Sequence, residues 1–358
     1  MEFIPISVLR ITSRMKTSFY QYNFKELTKI LEENDLSVSG ASLLFNWHYK
    51  QKNIEPCTHN LALATQEYLR ENFNFELPII IDVHESSDHT AKFLIQMSDG
   101  LKVETVLIPF QNKYTICLST QVGCAMKCSF CFTGTQGLKR HLATHEIVGQ
   151  FILADRWLKK QRPADHQLKN IVYMGQGEPL HNFDAVKTSI EIFLDQHGTS
   201  IGVQKITVST AGYLPGLLRW NNEIPGVNIA LSLHSSIEEK RNKLIPINQR
   251  YPLEEILKYL DLIPLKRKQY VIYEYLLIKN FNDSDFDAHA TGELLKGKQA
   301  IINLIPFNPF PGTEYERPEN IRVEAFQKIL ESYKLPALIR GTKGDDILAA
   351  CGQLNTKI

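Results

Sequence analysis

Charge of one sign is what this sequence has least of. Across 358 residues, 40 Lys and Arg stand against 39 Asp and Glu, a net charge of +1. That excludes a polybasic nucleic-acid sponge, although it leaves room for local basic faces. No apolar run approaches the ~18 residues needed to cross a bilayer, so no membrane span is expected. Close internal repeats and low-complexity tracts are absent, as is the G-x-S-x-G elbow of Ser-His-Asp hydrolases. What remains is ordinary globular composition, 43% hydrophobic and 22% charged. At ~150 residues per domain it suits two or three modules with a sizeable core.

Cysteine is scarce and unevenly placed. Of the six, Cys117, Cys124, Cys128 and Cys131 crowd into one stretch, while Cys57 and Cys351 stand apart. Secreted disulfide scaffolds are short chains with cysteines spread along them, so the crowding points to metal or catalysis in a reducing compartment. The expected location is cytoplasmic. Residues 1–16 contain Arg10, Arg14 and Lys16, and Ile4-Pro5-Ile6 is too short and interrupted for a secretory core. They are read as a poorly ordered leader, with Met15 as an alternative start. Cys57 receives no role.

Hydrophobic periodicity divides the chain. Helices are expected at Phe24–Glu33, Ala41–Tyr49 and Leu61–Tyr68, and Leu77–Val83 reads as a β-rich connector. Lys92–Met97 and Lys102–Pro109 flank Ser98-Asp99-Gly100, which is a hairpin signal. Strands are then expected at Tyr114–Ser119, Asn170–Met174, Lys205–Ser209, Val227–Leu233, Tyr270–Leu277 and Ala300–Ile305. Amphipathic stretches such as Glu146–Lys160, Phe183–His197 and Leu253–Ile263 lie between them. Thr144 is the expected N-cap of the first, Gly198 the C-terminal stop of the second, and Pro252 a first-turn residue of the third. The fold class is therefore α/β: a partial (βα)6 TIM-type barrel with a small N-terminal helical domain and a β-hairpin extension. The division expected is 1–90 for the helical module and 91–358 for the barrel with its hairpin.

Polar motifs follow the strands and would meet at the C-terminal mouth of such a barrel. Cys124-Ala-Met-Lys-Cys128-Ser-Phe-Cys131 is C-x₃-C-x₂-C on a loop after a strand. Three thiolates there can hold three irons of a four-iron cubane and leave the fourth open. The alternative is zinc completed by His141, but the two separated ligand pairs usual for zinc are missing. This spacing is the hallmark of radical S-adenosylmethionine (SAM) enzymes. Gly175-Gln-Gly-Glu-Pro179 lacks the third glycine of a dinucleotide fingerprint and the Gly-Lys-Ser/Thr of a P-loop. Glu178 would repel phosphate and suits a ligand ammonium. Ser209, Ser232, His234 and Asn308 offer neutral donors and acceptors for a sugar, carboxylate or adenine, though each singly suits a turn or cap. Cys117 and Cys351 alone would read as buried small hydrophobes.

Taken together, the motifs resemble the RlmN/Cfr family of radical SAM RNA adenine methyltransferases. The resemblance rests on Val103-Glu-Thr-Val106, Gln121-Val-Gly-Cys124, Cys128-Ser-Phe-Cys131, Thr133-Gly-Thr-Gln-Gly137 and Gly177-Glu-Pro-Leu180. Ser209-Thr-Ala-Gly212, Ser232-Leu-His234, Ile245-Pro-Ile-Asn248, Asn303-Leu-Ile-Pro306 and Ala350-Cys-Gly-Gln-Leu354 complete it. It runs from Val103 to Leu354, and the first hundred residues match loosely. It implies a [4Fe-4S] cluster on Cys124, Cys128 and Cys131, with SAM held by Gly177, Glu178, Ser209, Ser232, Leu233, His234 and Asn308. It implies Cys351 as methyl carrier, Cys117 as resolving thiol through a transient Cys117–Cys351 disulfide, and Glu104 as proton acceptor. The implied substrates are 23S rRNA and some tRNA, methylated at adenine C2 rather than C8, by a monomer with an electron donor such as flavodoxin. A non-catalytic iron–sulfur RNA-binding protein is the alternative from another class; it has no use for Cys117 and Cys351. From Phe132 to Asn170, seven Lys and Arg against three Asp and Glu form a basic stretch that could track phosphates.

Overall fold

The Asn23 side chain accepts the Glu26 amide at 2.8 Å and Glu26 returns to the Asn23 amide at 2.9 Å, a capping box that starts the first helix where periodicity places it. The computed structural model describes residues 16–57 and 60–356, and the reading of a leader at 1–16 lies, but for Lys16, outside them. Strand β1 (Thr17–Ser18) precedes α1 (Phe24–Glu33), α2 (Ser39–Phe45) and α3 (Leu63–Asn72), and β2 (Phe73–Asn74) pairs back onto β1 in parallel. Beyond Phe45 the expected second helix widens into a π turn over Asn46–Lys50. Phe19, Tyr20, Phe45 and Tyr49 are buried at the centre of this module.

The connector read at Leu77–Val83 is a strand, β3 (Ile79–Glu85), antiparallel to β4 (Ala91–Gln96). Then come β5 (Lys102–Phe110) and β6 (Lys113–Cys117), both antiparallel to their predecessors. The hairpin turns at the expected place: Asp99 accepts the Leu101 amide at 3.0 Å, and Gly100 takes φ +81°. A short antiparallel pair follows, β7 (Gln121–Val122) with β8 (Arg140–His141), and then α4 (Thr144–Gln161).

From there strands and helices alternate through β9 (Gln167–Tyr173), α5 (Phe183–Leu194), β10 (Ile206–Thr210), α6 (Leu214–Glu223), β11 (Asn228–Ser232), α7 (Glu238–Leu244) and α8 (Leu253–Leu260). The chain continues with β12 (Val271–Leu277), α9 (Asp285–Leu295), β13 (Ala300–Pro306), α10 (Asn320–Ser332) and β14 (Ala337–Ile339). The large sheet runs β14-β13-β12-β11-β10-β9-β6-β5-β4-β3. Its parallel part contains the six expected strands and a short seventh, β14, after α10. Helices cover the outside: α8 buries Leu253, Ile256, Leu257 and Leu260, the i, i+3, i+4, i+7 stripe of an amphipathic helix. Each such side chain is worth roughly 1.5–3 kcal/mol on burial.

Three helix-end expectations need correction. Thr144 is the first helical residue of α4 rather than its cap; Glu146 reaches back to the Ala143 amide at 2.8 Å and caps the end instead. Helix α5 stops at Leu194 with Asp195 as C-cap, three residues short of the expected end at His197. Gly198 lies in the next turn, where a Cβ would sit 3.0 Å from Tyr49. Pro252, with ψ 147°, is the extended residue before α8 rather than part of its first turn.

Candidate active site

The cysteine loop is cinched at its base. Strands β7 and β8 bracket it, the Cys124 amide donates to the Gly137 carbonyl at 3.2 Å, and Lys139 donates to Val122 at 2.9 Å. Gly123 has φ +76°, and a Cβ there would fall 1.8 Å from the Gly137 oxygen, so only glycine closes this neck. Inside the loop the Met126 amide points to the Cys124 Sγ at 3.5 Å, and backbone N–H groups of Thr133 and Gly134 reach the Cys131 sulfur. Burial, with the neighbouring thiols as a further cause, drives Cys128 well up and Cys124 up to about 12. Three thiols within electrostatic reach of one another and this desolvated ionise readily only when positive charge joins them, which a bound iron–sulfur cluster would supply, and the inward N–H donors suit its sulfurs. His141 does not complete a zinc site. Its Nδ1 lies 2.9 Å from Gln121 Nε2 and its ring packs edge-on against His181. Among the described residues, no three His, Cys, Asp or Glu side chains converge on one metal-ion position.

Beside the loop, Gly177 has φ +107°, and a Cβ would lie 2.7 Å from Gln121 Cβ. Gln121 in turn accepts the Glu178 amide at 2.8 Å. Glu178 is 3% exposed, and its carboxylate accepts the amides of Leu180 at 3.1 Å and Ala211 at 2.8 Å. Burial nevertheless pushes it up to about 7, so a neighbouring cation would stabilise it strongly. Ser209 and Ser232 are half-buried near the ends of β10 and β11, and Leu233 is buried. His234 is buried at φ +53°, and its Nδ1 accepts the Leu276 amide at 3.0 Å. Burial first and the Arg241 charge second push His234 down to about 3, leaving it neutral. Asn308 is turned to the C-terminal segment, donating to the Cys351 carbonyl at 3.3 Å and accepting from Thr342 at 3.1 Å.

Sequence reasoning missed the residue that joins these loops. Arg241 of α7 is fully buried and donates to the carbonyls of Ala211 at 3.1 Å and Ser232 at 3.0 Å, and to Asn248. It therefore ties the end of β11 to the loop after β10, within electrostatic reach of Cys128. A basic residue on a short polar helix carries no sequence signal of this kind.

Cys117 and Cys351 come from the first parallel strand of the large sheet and from the segment after the last one. Cys117 ends β6, buried among Val106, Ala349 and Leu354. Its thiol is driven well up by burial first and by the proximity of Cys351 second. Cys351 is exposed as a residue, while desolvation of its sulfur, then the charge of Glu274, pushes it up to about 11. Cys131 is among the groups that act on it, so Cys351 lies within electrostatic reach of both the cysteine loop and Cys117. Glu104 lies on the same side, buried, paired with Lys92 Nζ at 3.0 Å and accepting the Asn355 amide at 2.7 Å. A cavity of about 310 Å³ opens between Lys92, Glu104, Phe132, Leu348, Gln353 and Asn355. The basic stretch is partly neutralised: Arg140 is held by Asp99 and Glu146, Lys159 by Asp155 and Arg162 by Glu85.

The chain is similar in sequence and fold to known proteins. Residues 118–291 match the radical SAM superfamily model. The dual-specificity RNA methyltransferase RlmN of Paracoccus denitrificans is 41% identical over 317 residues, spanning 87% of this chain and 81% of that protein. A probable dual-specificity RNA methyltransferase RlmN of Dictyoglomus turgidum is 39% identical over 334 residues, spanning 93% and 95%. The crystal structure of a radical SAM methyltransferase from Sphaerobacter thermophilus superposes with a TM-score of 0.86 at 35% identity, covering 95% of this chain and 99% of that one.

Proposed function

The chain belongs to the radical SAM superfamily and, within it, to the RlmN RNA methyltransferases, and from that premise we propose that it forms 2-methyladenosine in 23S rRNA and in some tRNA. The observation that carries this reading is the pair of free thiols, Cys117 and Cys351, within electrostatic reach of each other beside the cysteine loop. A structural cluster or a simple methyl displacement needs neither.

Adenine C2 lies between two ring nitrogens and is too electron-poor to attack a sulfonium methyl, so a radical must do the work. Cys124, Cys128 and Cys131 would hold three irons of the cluster, leaving the fourth for SAM. Glu178, a buried acid at about 7, would pair with the SAM ammonium. Gly177, Ser209, Ser232, Leu233, His234 and Asn308 would line the rest of the site. Cys351 first takes a methyl group from one SAM by displacement. Bound there, the cluster and a second SAM would supply a 5′-deoxyadenosyl radical able to take one hydrogen from the methyl on Cys351. The remaining carbon radical on Cys351 adds to C2, joining protein to RNA. The adduct would give up one electron, with the cluster left oxidised by SAM cleavage as its acceptor, and its C2 proton, the proton to Glu104. Cys117 then attacks the Cys351 sulfur; the carbon leaves with the bonding pair, takes a proton and becomes the methyl, while the two cysteines form a disulfide.

Turnover with SAM carrying a CD₃ group tests the reading. The account expects CHD₂ on adenine C2 and one deuterium in 5′-deoxyadenosine. Transfer of intact CD₃ would overturn it, and CHD₂ at C8 would assign the chain to the other branch of the family. The electron donor, proposed as a flavodoxin, is identified by which reduced protein supports this turnover.

A further inference from the structure

Lys92 and Glu104 sit on one face of the antiparallel extension. In the β4–β5 register Lys92 is opposite Val106 and Glu104 opposite Leu94, so the two side chains meet diagonally across the strands. Val106 is in turn opposite Cys117, which puts Lys92, Glu104 and Cys117 on one patch of sheet. The C-terminal segment lies over that patch. Lys92 Nζ donates to the Leu348 carbonyl at 3.2 Å and pairs with Glu104 at 3.0 Å. Glu104 accepts the Asn355 amide at 2.7 Å. One buried ion pair thus grips the chain three residues before and four residues after Cys351. Both members also line the 310 Å³ cavity beside it.

We propose that Lys92 is a positioning residue for product release: it keeps Glu104 a carboxylate facing the cavity and, together with Glu104, pins the Cys351 loop at Leu348 and Asn355. The inference rests on the RNA-methylation reading and adds a residue to it. The charged or titratable groups around Glu104 are Lys92 from β4 and His84 from β3, itself held by Asp82 at 2.9 Å; β6 adds the Cys117 thiol and the C-terminal segment the Cys351 thiol. Burial opposes the charge on Glu104, and Lys92 is the main counterweight. When Glu104 takes the C2 proton, the ion pair loses its anion and the Asn355 amide its strongest acceptor. Both ties weaken at the step in which Cys117 must reach the Cys351 sulfur.

The test is anaerobic single turnover of the holoenzyme with RNA, following formation and release of the covalent protein–RNA adduct against pH. K92M should form the adduct but release it roughly tenfold more slowly at neutral pH, with the rising limb of release moved up by about one pH unit. Proteolysis within 344–356 should also be faster than in wild type. K92R keeps the charge but puts a longer, planar guanidinium where a compact ammonium meets both Leu348 and Glu104: its limb should stay in place while its C-terminal segment becomes more easily cut. Unchanged release and limb in K92M overturn the proposal, and so does a moved limb or a fully protected segment in K92R. If K92M fails to load its cluster, the two K92R readouts decide. Absence of any adduct in wild type and in C117A protein would instead defeat the RNA-methylation reading itself.

Discussion

The Thr133 hydroxyl donates to the Leu354 carbonyl at 2.7 Å, joining the end of the cysteine loop to the turn that follows Cys351 across 221 residues of sequence. The Phe132 amide donates to the Gly352 carbonyl at 2.7 Å, and Asn308 donates to Cys351 itself. The thiol that would carry the methyl is thus held against the loop that would carry the cluster, and the placement of one depends on the other.

Thr133→Val should therefore loosen Cys351 without removing a cluster ligand. Leaving the buried Leu354 carbonyl unpaired costs about 1–3 kcal/mol. Alkylation of Cys351 by iodoacetamide in the reconstituted protein should speed up severalfold while iron content stays constant. Iron lost in step with alkylation would show that the tie is part of the cluster site instead.

Cys128→Ala should abolish cluster absorbance and SAM cleavage together, since three thiolates are the minimum that holds the cubane here. Anaerobically purified wild-type protein should contain about four irons per chain. Zinc at full occupancy would contradict the assignment.

Glu178 makes stability depend on pH in a definite direction. Its carboxyl is raised from 4.5 to about 7 in the fold, so between those values the folded state holds a proton that the unfolded chain has released. Stability of the cluster-free protein should fall as pH rises across that window, by about 1.4 kcal/mol per unit and ~3 kcal/mol in all. Glu178→Gln should flatten this slope in denaturant titrations, and calorimetry should show weaker SAM binding to the loaded protein. A slope equal to wild type would mean that Glu178 is not the titrating group.

Cys117→Ala should accumulate a covalent protein–RNA species, and Cys351→Ala should form none. Cys351 must accept the methyl before any carbon–carbon bond forms, whereas Cys117 acts only after C2 is attached. Denaturing gels with nuclease controls separate the two. Equal, full methylation by both variants would remove the two-cysteine route.

Much of the site could be read in the sequence because its chemistry is local: a C-x₃-C-x₂-C loop and Gly-Glu-Pro after a strand keep their meaning wherever the strands lie. The period of Phe24–Glu33 likewise predicted α1 from neighbours three and four residues away, and the capping box at Asn23 starts it there. What escaped was long-range. Lys92 meets Leu348 across 256 residues, and Arg241 meets Ala211 across 30, and neither pairing leaves a periodic trace. Strand β14 is three residues long, too short for alternation to register. Helix ends slipped because the caps were made by Glu146 and Asp195 rather than by the residue types that most often mark them.

The central claim is tested most directly by nucleoside mass spectrometry of 23S rRNA and tRNA from a deletion strain, with and without a plasmid copy of this chain. The account predicts that 2-methyladenosine is lost on deletion, returns with the wild-type chain, and does not return with Cys351→Ala. Unchanged 2-methyladenosine in the deletion strain, or its return with Cys351→Ala, would contradict it.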